Sequence, residues 1–339
     1  MDVGAVPVAS DRGGARPAHG EKGEVRVRRT DPSALSRQRI ASAWLFLSPM
    51  LAVLAAVAAY PLIRTFYFSF TDASIDLIDE AQWVGFRNYL EYVDYGEGEG
   101  EYFGLLVDER WWRAVWNTLR FTFLSVTFET AFGLVVALVL NTNFRGRALV
   151  RAAVLIPWAI PTIVSAKMWA WMMHDQFGIL NDMLMRLHVI AEPVAWTASD
   201  QTAMLAVLIV DVWKTTPFMA LLILAGLQMI PADIYEAAKL DGISPVRVFW
   251  RVTWPLVLPA VLVAVVFRAL DALRVFDIIY VLTPNNDATR TMSIFARENL
   301  FDFDQFAYGS AASTLLFLII AMLTISFIWA TRMNVEREE

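Results

Sequence analysis

Long apolar runs separated by short polar stretches set the pattern of this chain. Runs of roughly 20 apolar residues, each enough to cross a bilayer, extend from Ala43 to about Ile63 and recur near 116–140, 149–172, 203–226, 257–282 and 309–331. The pattern predicts an all-α polytopic membrane protein with six transmembrane helices, because unpaired backbone cannot sit in lipid. The chain divides accordingly into a disordered basic tail over 1–41, a first transmembrane helix over 42–65, an acidic loop over 66–114, a core of five further helices over 115–332, and a short tail over 333–339. The Ala-rich stretch at 55–59 imitates a signal-peptidase site. The region before it is too long for a leader, however, and the apolar pattern continues into Phe66, Tyr67 and Phe68.

Charge orients this pattern. The first 41 residues carry Arg12, Arg16, Arg26, Arg28, Arg29, Arg37 and Arg39, and the connection between the second and third spans carries Arg145, Arg147 and Arg151. The stretch 66–114 is acidic, with Asp72, Asp76, Asp79, Glu80 and seven further carboxylates against Arg87, Arg110 and Arg113. Six spans put both termini and the basic connections on one side, which the positive-inside rule makes the cytoplasm. The expected location is a cell membrane, with both termini in the cytoplasm. Composition agrees, since 57% hydrophobic and 18% charged residues are too apolar for an ordinary soluble domain. With no cysteine, and with His19, His174 and His188 scattered, no disulfide framework or metal-ligand cluster is expected. No GxxxxGK[ST] phosphate loop occurs, so any ATP that powers the protein is bound by another chain.

Ionisable residues inside spans are costly and mark candidate functional positions. Counting about 1.5 Å per residue, Asp211 and Lys214 lie roughly 12 and 16 Å along the fourth span from Ala203, and Arg268 and Asp271 roughly 16 and 21 Å along the fifth from Val257. Pro157 and Pro161 in the third span fall at comparable depth, and Pro217 lies just beyond Lys214. Three spans interrupted or charged at one level point to a polar passage, with Asp211, Trp213, Lys214, Thr215, Asp271 and Arg274 as the pathway residues. Arg268, Asp271, Arg274 and Asp277 alternate in sign every third residue, which on one helix places Arg268 and Asp277 about 180° apart. Arg268 and Asp277 therefore read as pathway residues or as interhelical ties, and Glu129 is expected to pair with one of the cations. Trp158, Trp169, Trp171 and Trp213 offer flat faces to a sugar ring, or serve as bundle and interface anchors.

A polar island interrupts the apolar pattern at 236–259. Pro231 opens a helix that Asp233 and Glu236 favour at its positive end, and Gly242 supplies the left-handed residue that stops it. Ser244 and Pro245 then read as the N-cap and first residue of a second helix outside the membrane. Glu236, Ala237 and Ala238, with Gly242 four residues on and a closing Val252-Thr253-Trp254-Pro255, resemble the EAA loop of ABC importer permeases. Val and Trp stand where that family usually has Ile and Leu. The stretches 212–231, 267–283 and 308–313 are similar to the sugar-importing, maltose and trehalose branch.

The resemblance implies a type I importer permease fold, with the loop 231–255 as a coupling helix. Glu236, Ala237, Ala238, Leu240, Asp241, Gly242, Ser244 and Pro245 would meet the ATPase. It also implies a second homologous permease, two ATPase subunits that hold ATP and Mg, an extracytoplasmic solute-binding protein, and a disaccharide such as trehalose or maltose as cargo. This chain would be non-catalytic, with no cofactor or metal of its own. The alternative reading is a stand-alone ion-coupled transporter or channel that uses Asp211 and Asp271; it explains the buried charges and leaves the loop without a purpose. No nucleophile–base pair supports a membrane enzyme, and nothing points to nucleic acid.

Overall fold

The computed structural model describes residues 34–96 and 99–335, so most of the basic tail and the last four residues of the chain lie outside the described residues. Two compact units are present, Met1–Ala58 and Ala59–Glu339. In the first, helix α1 (Ala34–Leu54) continues into a π turn at Ala55–Ala59. Helix therefore begins ahead of the apolar run, over residues that contain no Gly or Pro until Pro49. Trp44, Leu45, Phe46 and Val53 are exposed, as side chains facing lipid tails would be.

The second unit opens with α2 (Tyr60–Phe68) and the acidic stretch. That stretch is more ordered than a polar loop. Asn88 donates from Nδ2 to the carbonyls of Ser69 (2.9 Å) and Thr71 (2.8 Å), and the Tyr89 hydroxyl donates to Ser69 Oγ at 2.8 Å. An antiparallel hairpin follows, β1 (Glu91–Gly96) and β2 (Glu99–Phe103), with Tyr92 opposite Tyr102 and a bulge between Asp94 and Gly96. Asp108 caps the next helix by accepting from the Arg110 N–H at 2.8 Å.

The remaining elements are α3 (Glu109–Asn141), α4 (Arg147–Ala159), α5 (Thr162–Met172), α6 (Ile179–Arg186) and α7 (Ala203–Gln228). They are followed by α8 (Ala232–Leu240), α9 (Pro245–Val248), α10 (Trp254–Ala272), α11 (Asp277–Leu282), α12 (Met292–Arg297) and α13 (Phe306–Val335). Among the described residues, five helical runs are long and apolar enough to cross a membrane: Arg39–Phe68, Glu109–Asn141, Ala203–Gln228, Pro245–Ala272 and Phe306–Trp329. The pair α4–α5, bent by 89°, makes a sixth if counted as one span.

Three departures from the apolar pattern have local causes. The third span breaks at Ile160–Pro161, because proline lacks an N–H and forces the residue before it out of helix; Ile160 has ψ 134°. The fifth span stops at Ala272, ten residues short of its apolar run, and Asp277 opens the separate helix α11. Arg268 and Asp277 thus do not share a helix. The segment after Ser244 is no detached second helix either, since Pro245 to Ala272 is continuous through a π turn at Phe249–Thr253.

The core is built on α3, α7 and α10. Gly133 sits beside Met219 and Ala220, while Leu140 clusters with Ile223 and Leu227, so α3 and α7 run parallel. Gly226 meets Ala260, and α10 runs antiparallel to both. Small residues permit this closeness. A Cβ on Gly133 would stand 2.8 Å from Met219 Cβ and 3.1 Å from the Ala220 nitrogen. Gly133→Leu is expected to lower stability by about 1–3 kcal/mol, read as an earlier unfolding midpoint in a detergent–SDS titration.

Candidate functional site

The break in the third span creates the site. Once Pro161 interrupts the helix, the Ile160 carbonyl has no helical partner, and Lys214 on α7 donates Nζ to it at 2.6 Å. The two features placed at equal depth from the sequence therefore meet. Beside them, α3, α7 and α10 bring a charged cluster together. Arg268 donates through Nε to Glu129 Oε2, through Nη2 to Asp211 Oδ2, and through Nη1 to Asp271 Oδ2 at 2.9 Å. Ser125 Oγ lies 2.7 Å from both Glu129 Oε1 and Asp211 Oδ2, and Thr215 Oγ1 contacts Glu129 Oε1 and the Asp211 carbonyl. Glu129 is fully buried and Arg268 is 3% exposed, whereas the Asp271 side chain is 63% exposed.

The cluster forms one wall of a cavity of about 520 Å³. Asp211, Lys214, Thr215, Asp271 and Arg274 line it, and so do Arg268, Asp277 and Trp158. Arg274 is loosely held, 4.0 Å from Asp271. Trp213 is not on the wall; its ring packs edge-to-face on Trp169, with 5.5 Å between centroids, on another face of α7. Of the four tryptophans considered as sugar platforms, Trp158 alone lines this cavity, with its ring stacked on Phe218 at 5.9 Å. Asp277 has no ion-pair or hydrogen-bond partner for its carboxylate among the described residues, so it is no interhelical tie. Glu129 pairs with a cation, and that cation is Arg268. Sequence reasoning passed over Ser125, a hydroxyl one helical turn from Glu129, whose spacing was the available signal. Among the described residues no group of side chains is arranged to hold a metal ion.

The second candidate site is the polar island. Pro231 is the N-cap residue of α8, Asp241 closes it, and Gly242 turns the chain with φ +67°. The Gly242 and Ile243 N–H groups return to the carbonyls of Lys239 and Ala238, both at 3.1 Å, satisfying the helix end. Ser244 has the extended N-cap conformation, but its side chain makes no capping bond. Glu236, Ala237, Asp241, Ser244 and Pro245 are exposed; Ala238 is buried, and Leu240 is 90% exposed. With Val246 and Trp250 also exposed, this short element presents apolar side chains at the end of the bundle where α7 finishes and α10 begins.

Residues 129–337 match the family described as binding-protein-dependent transport system inner membrane component. The chain is 41% identical over 287 residues to the trehalose/maltose transport system permease protein MalF of Thermococcus litoralis, covering 84% of this chain and 92% of that protein. It is 36% identical to the trehalose transport system permease protein SugA of Mycobacterium tuberculosis (87% and 90% covered) and 35% identical to the sulfoquinovosyl glycerol permease SmoG of Agrobacterium fabrum (84% and 88%). In fold it is similar to a chain in the crystal structure of a bacterial ABC transporter that imports alginate, with TM-score 0.70, 19% identity, and 87% and 98% of the two chains covered. The protein belongs to the binding-protein-dependent transport system inner membrane components, as a multi-pass, non-catalytic permease subunit of an ABC importer.

Proposed function

We propose that this chain forms half of the pathway for a neutral disaccharide of the trehalose or maltose kind, with the segment 231–255 delivering the work of a separate ATPase. The observation that carries the reading is the exposed α8 turn. Glu236 and Leu240 project from a short helix that is held to the bundle through buried Ala238 and half-buried Tyr235, a surface suited to a groove on another protein. The partner ATPase would hold ATP and Mg. In this reading two such ATPases, a second permease and an extracytoplasmic solute-binding protein complete the assembly, and the basic tail and the coupling turn share the cytoplasmic side. Sugar as cargo is supported by the relatives' substrates and by a cavity of about 520 Å³ lined with charged and hydroxyl groups and Trp158. An ion-coupled transporter using Asp211 is disfavoured, because Arg268 already engages that carboxylate.

Co-expression with the neighbouring open reading frames and mild solubilisation tests the coupling surface. An ATPase is expected to co-purify with the wild type and to be lost with Glu236→Lys. Retention of the ATPase at wild-type stoichiometry would remove Glu236 from the docking surface.

A further inference from the structure

A second cavity, of about 480 Å³, opens where α3 and α13 begin, between those helices and the turn after α12. Trp111 of α3 packs on Phe295 here, and the Tyr308 hydroxyl donates to Asp108 Oδ2 at 2.9 Å, fixing the two helix starts together. Glu129 lies about five turns further along α3 than Trp111, roughly 27 Å at 1.5 Å per residue. Because α3 runs parallel to α7, this cavity is at the end of the bundle opposite α8. It is distinct from the charged cavity and shares no lining residue with it.

Its chemistry is specific. Arg290 is held by Glu298 through Nε at 2.8 Å and by Asp287, and Asn299 Nδ2 donates to the Phe295 carbonyl at 2.8 Å. Three groups on the wall remain without a side-chain partner among the described residues: the Arg110 guanidinium, the Gln305 amide and the Asn299 Oδ1 oxygen. Phe303, 56% exposed, adds a flat apolar face. Two carboxylates, Asp108 and Glu298, balance two guanidiniums, Arg110 and Arg290, so the lining favours neither an anion nor a cation. A fork of donors, an amide of both kinds and a lone acceptor beside an aromatic ring suit vicinal hydroxyls and the C–H face of a neutral sugar, in a volume typical of small-molecule sites.

We propose that this cavity is a second carbohydrate site, which holds a neutral sugar at the far end of the bundle before it reaches the charged cavity. The proposal rests on the reading of the protein as a sugar permease.

The test uses the full transporter assembly in lipid nanodiscs, without nucleotide or binding protein, in equilibrium dialysis against radiolabelled trehalose and maltose. Arg110, Phe303 and Gln305 are exposed, so Arg110→Ala, Phe303→Ala and Gln305→Ala leave the packing intact. Each is expected to weaken one binding phase by about tenfold, the effect of one lost contact, and Asp271→Ala is expected to leave that phase unchanged. If the three variants keep the wild-type isotherm while the wild type imports sugar, the second site is refuted and the sugar reading stands. Loss of binding-protein-dependent import in the three variants, with an unaltered isotherm, would make the cavity a protein footing and also overturn the proposal. A wild-type assembly that imports no neutral sugar refutes the sugar reading itself.

Discussion

Arg268→Ala is expected to remove most of the intact protein from the membrane. Its guanidinium is the cation held between Glu129 and Asp211 on three helices, and without it both buried carboxylates lose the one ion-pair partner they have among the described residues. Breaking a buried ion pair from one side typically costs about 3–5 kcal/mol, because the remaining charge keeps its desolvation penalty. The measurement is the yield of monodisperse protein and its unfolding midpoint in detergent. Replacing the whole cluster separates architecture from transport. The triple variant Arg268→Met, Glu129→Gln, Asp211→Asn is expected to recover the fold, since a neutral network of similar shape carries no such penalty. Uptake in proteoliposomes is expected to stay at least tenfold down, about 1.4 kcal/mol, because the triple variant also discharges the cavity wall and frees Asp271 from Arg268. Full uptake by the triple variant would show that the cluster serves only to hold the helices together.

Gly242→Val is expected to leave the protein in the membrane, with the partner ATPase bound and hydrolysing ATP, while substrate uptake falls at least tenfold. The reason is confined to the backbone. Gly242 has φ +67°, and no atom lies within 4 Å of where a Cβ would stand. Valine meets no clash in this chain but is disfavoured in the left-handed region by roughly 1–2 kcal/mol, so the turn after α8 opens and α8 loses its fixed angle to the Pro245–Ala272 helix. Gly242→Asn is the control, because asparagine tolerates that region. It is expected to transport near the wild-type rate. Equal transport by the valine and asparagine variants would detach coupling from this turn.

Much of this was legible along the chain. The spans followed from apolar length alone, since only helices satisfy their own backbone in lipid. The turn after α8 followed from Gly242, because capping and left-handed turns are decided within a few residues. Depth counting put Lys214 level with Pro161, and the structure joins them through the Ile160 carbonyl. The limits were equally local. Hydropathy carried the fifth span on to 282, since Val275, Phe276 and Ile278 are as apolar as any membrane residue; the helix nevertheless ends at Ala272 and restarts at Asp277. Nor did the charged hairpin stretch 91–103, poor in apolar alternation, read as strands.

Sequence by itself determined which stretches are apolar enough to form spanning helices, where the polar island lies and how far along each span its charges fall, because these depend on composition and on spacing along one strand of chain. Tertiary structure alone decided how those charges are used. Rotation of each helix about its axis is set by packing, here by the close approach of Gly133 to Met219 and of Gly226 to Ala260. That rotation turns Asp211 and Arg268 toward Glu129, opens Asp271 to the cavity, and carries Trp213 away from the wall to Trp169.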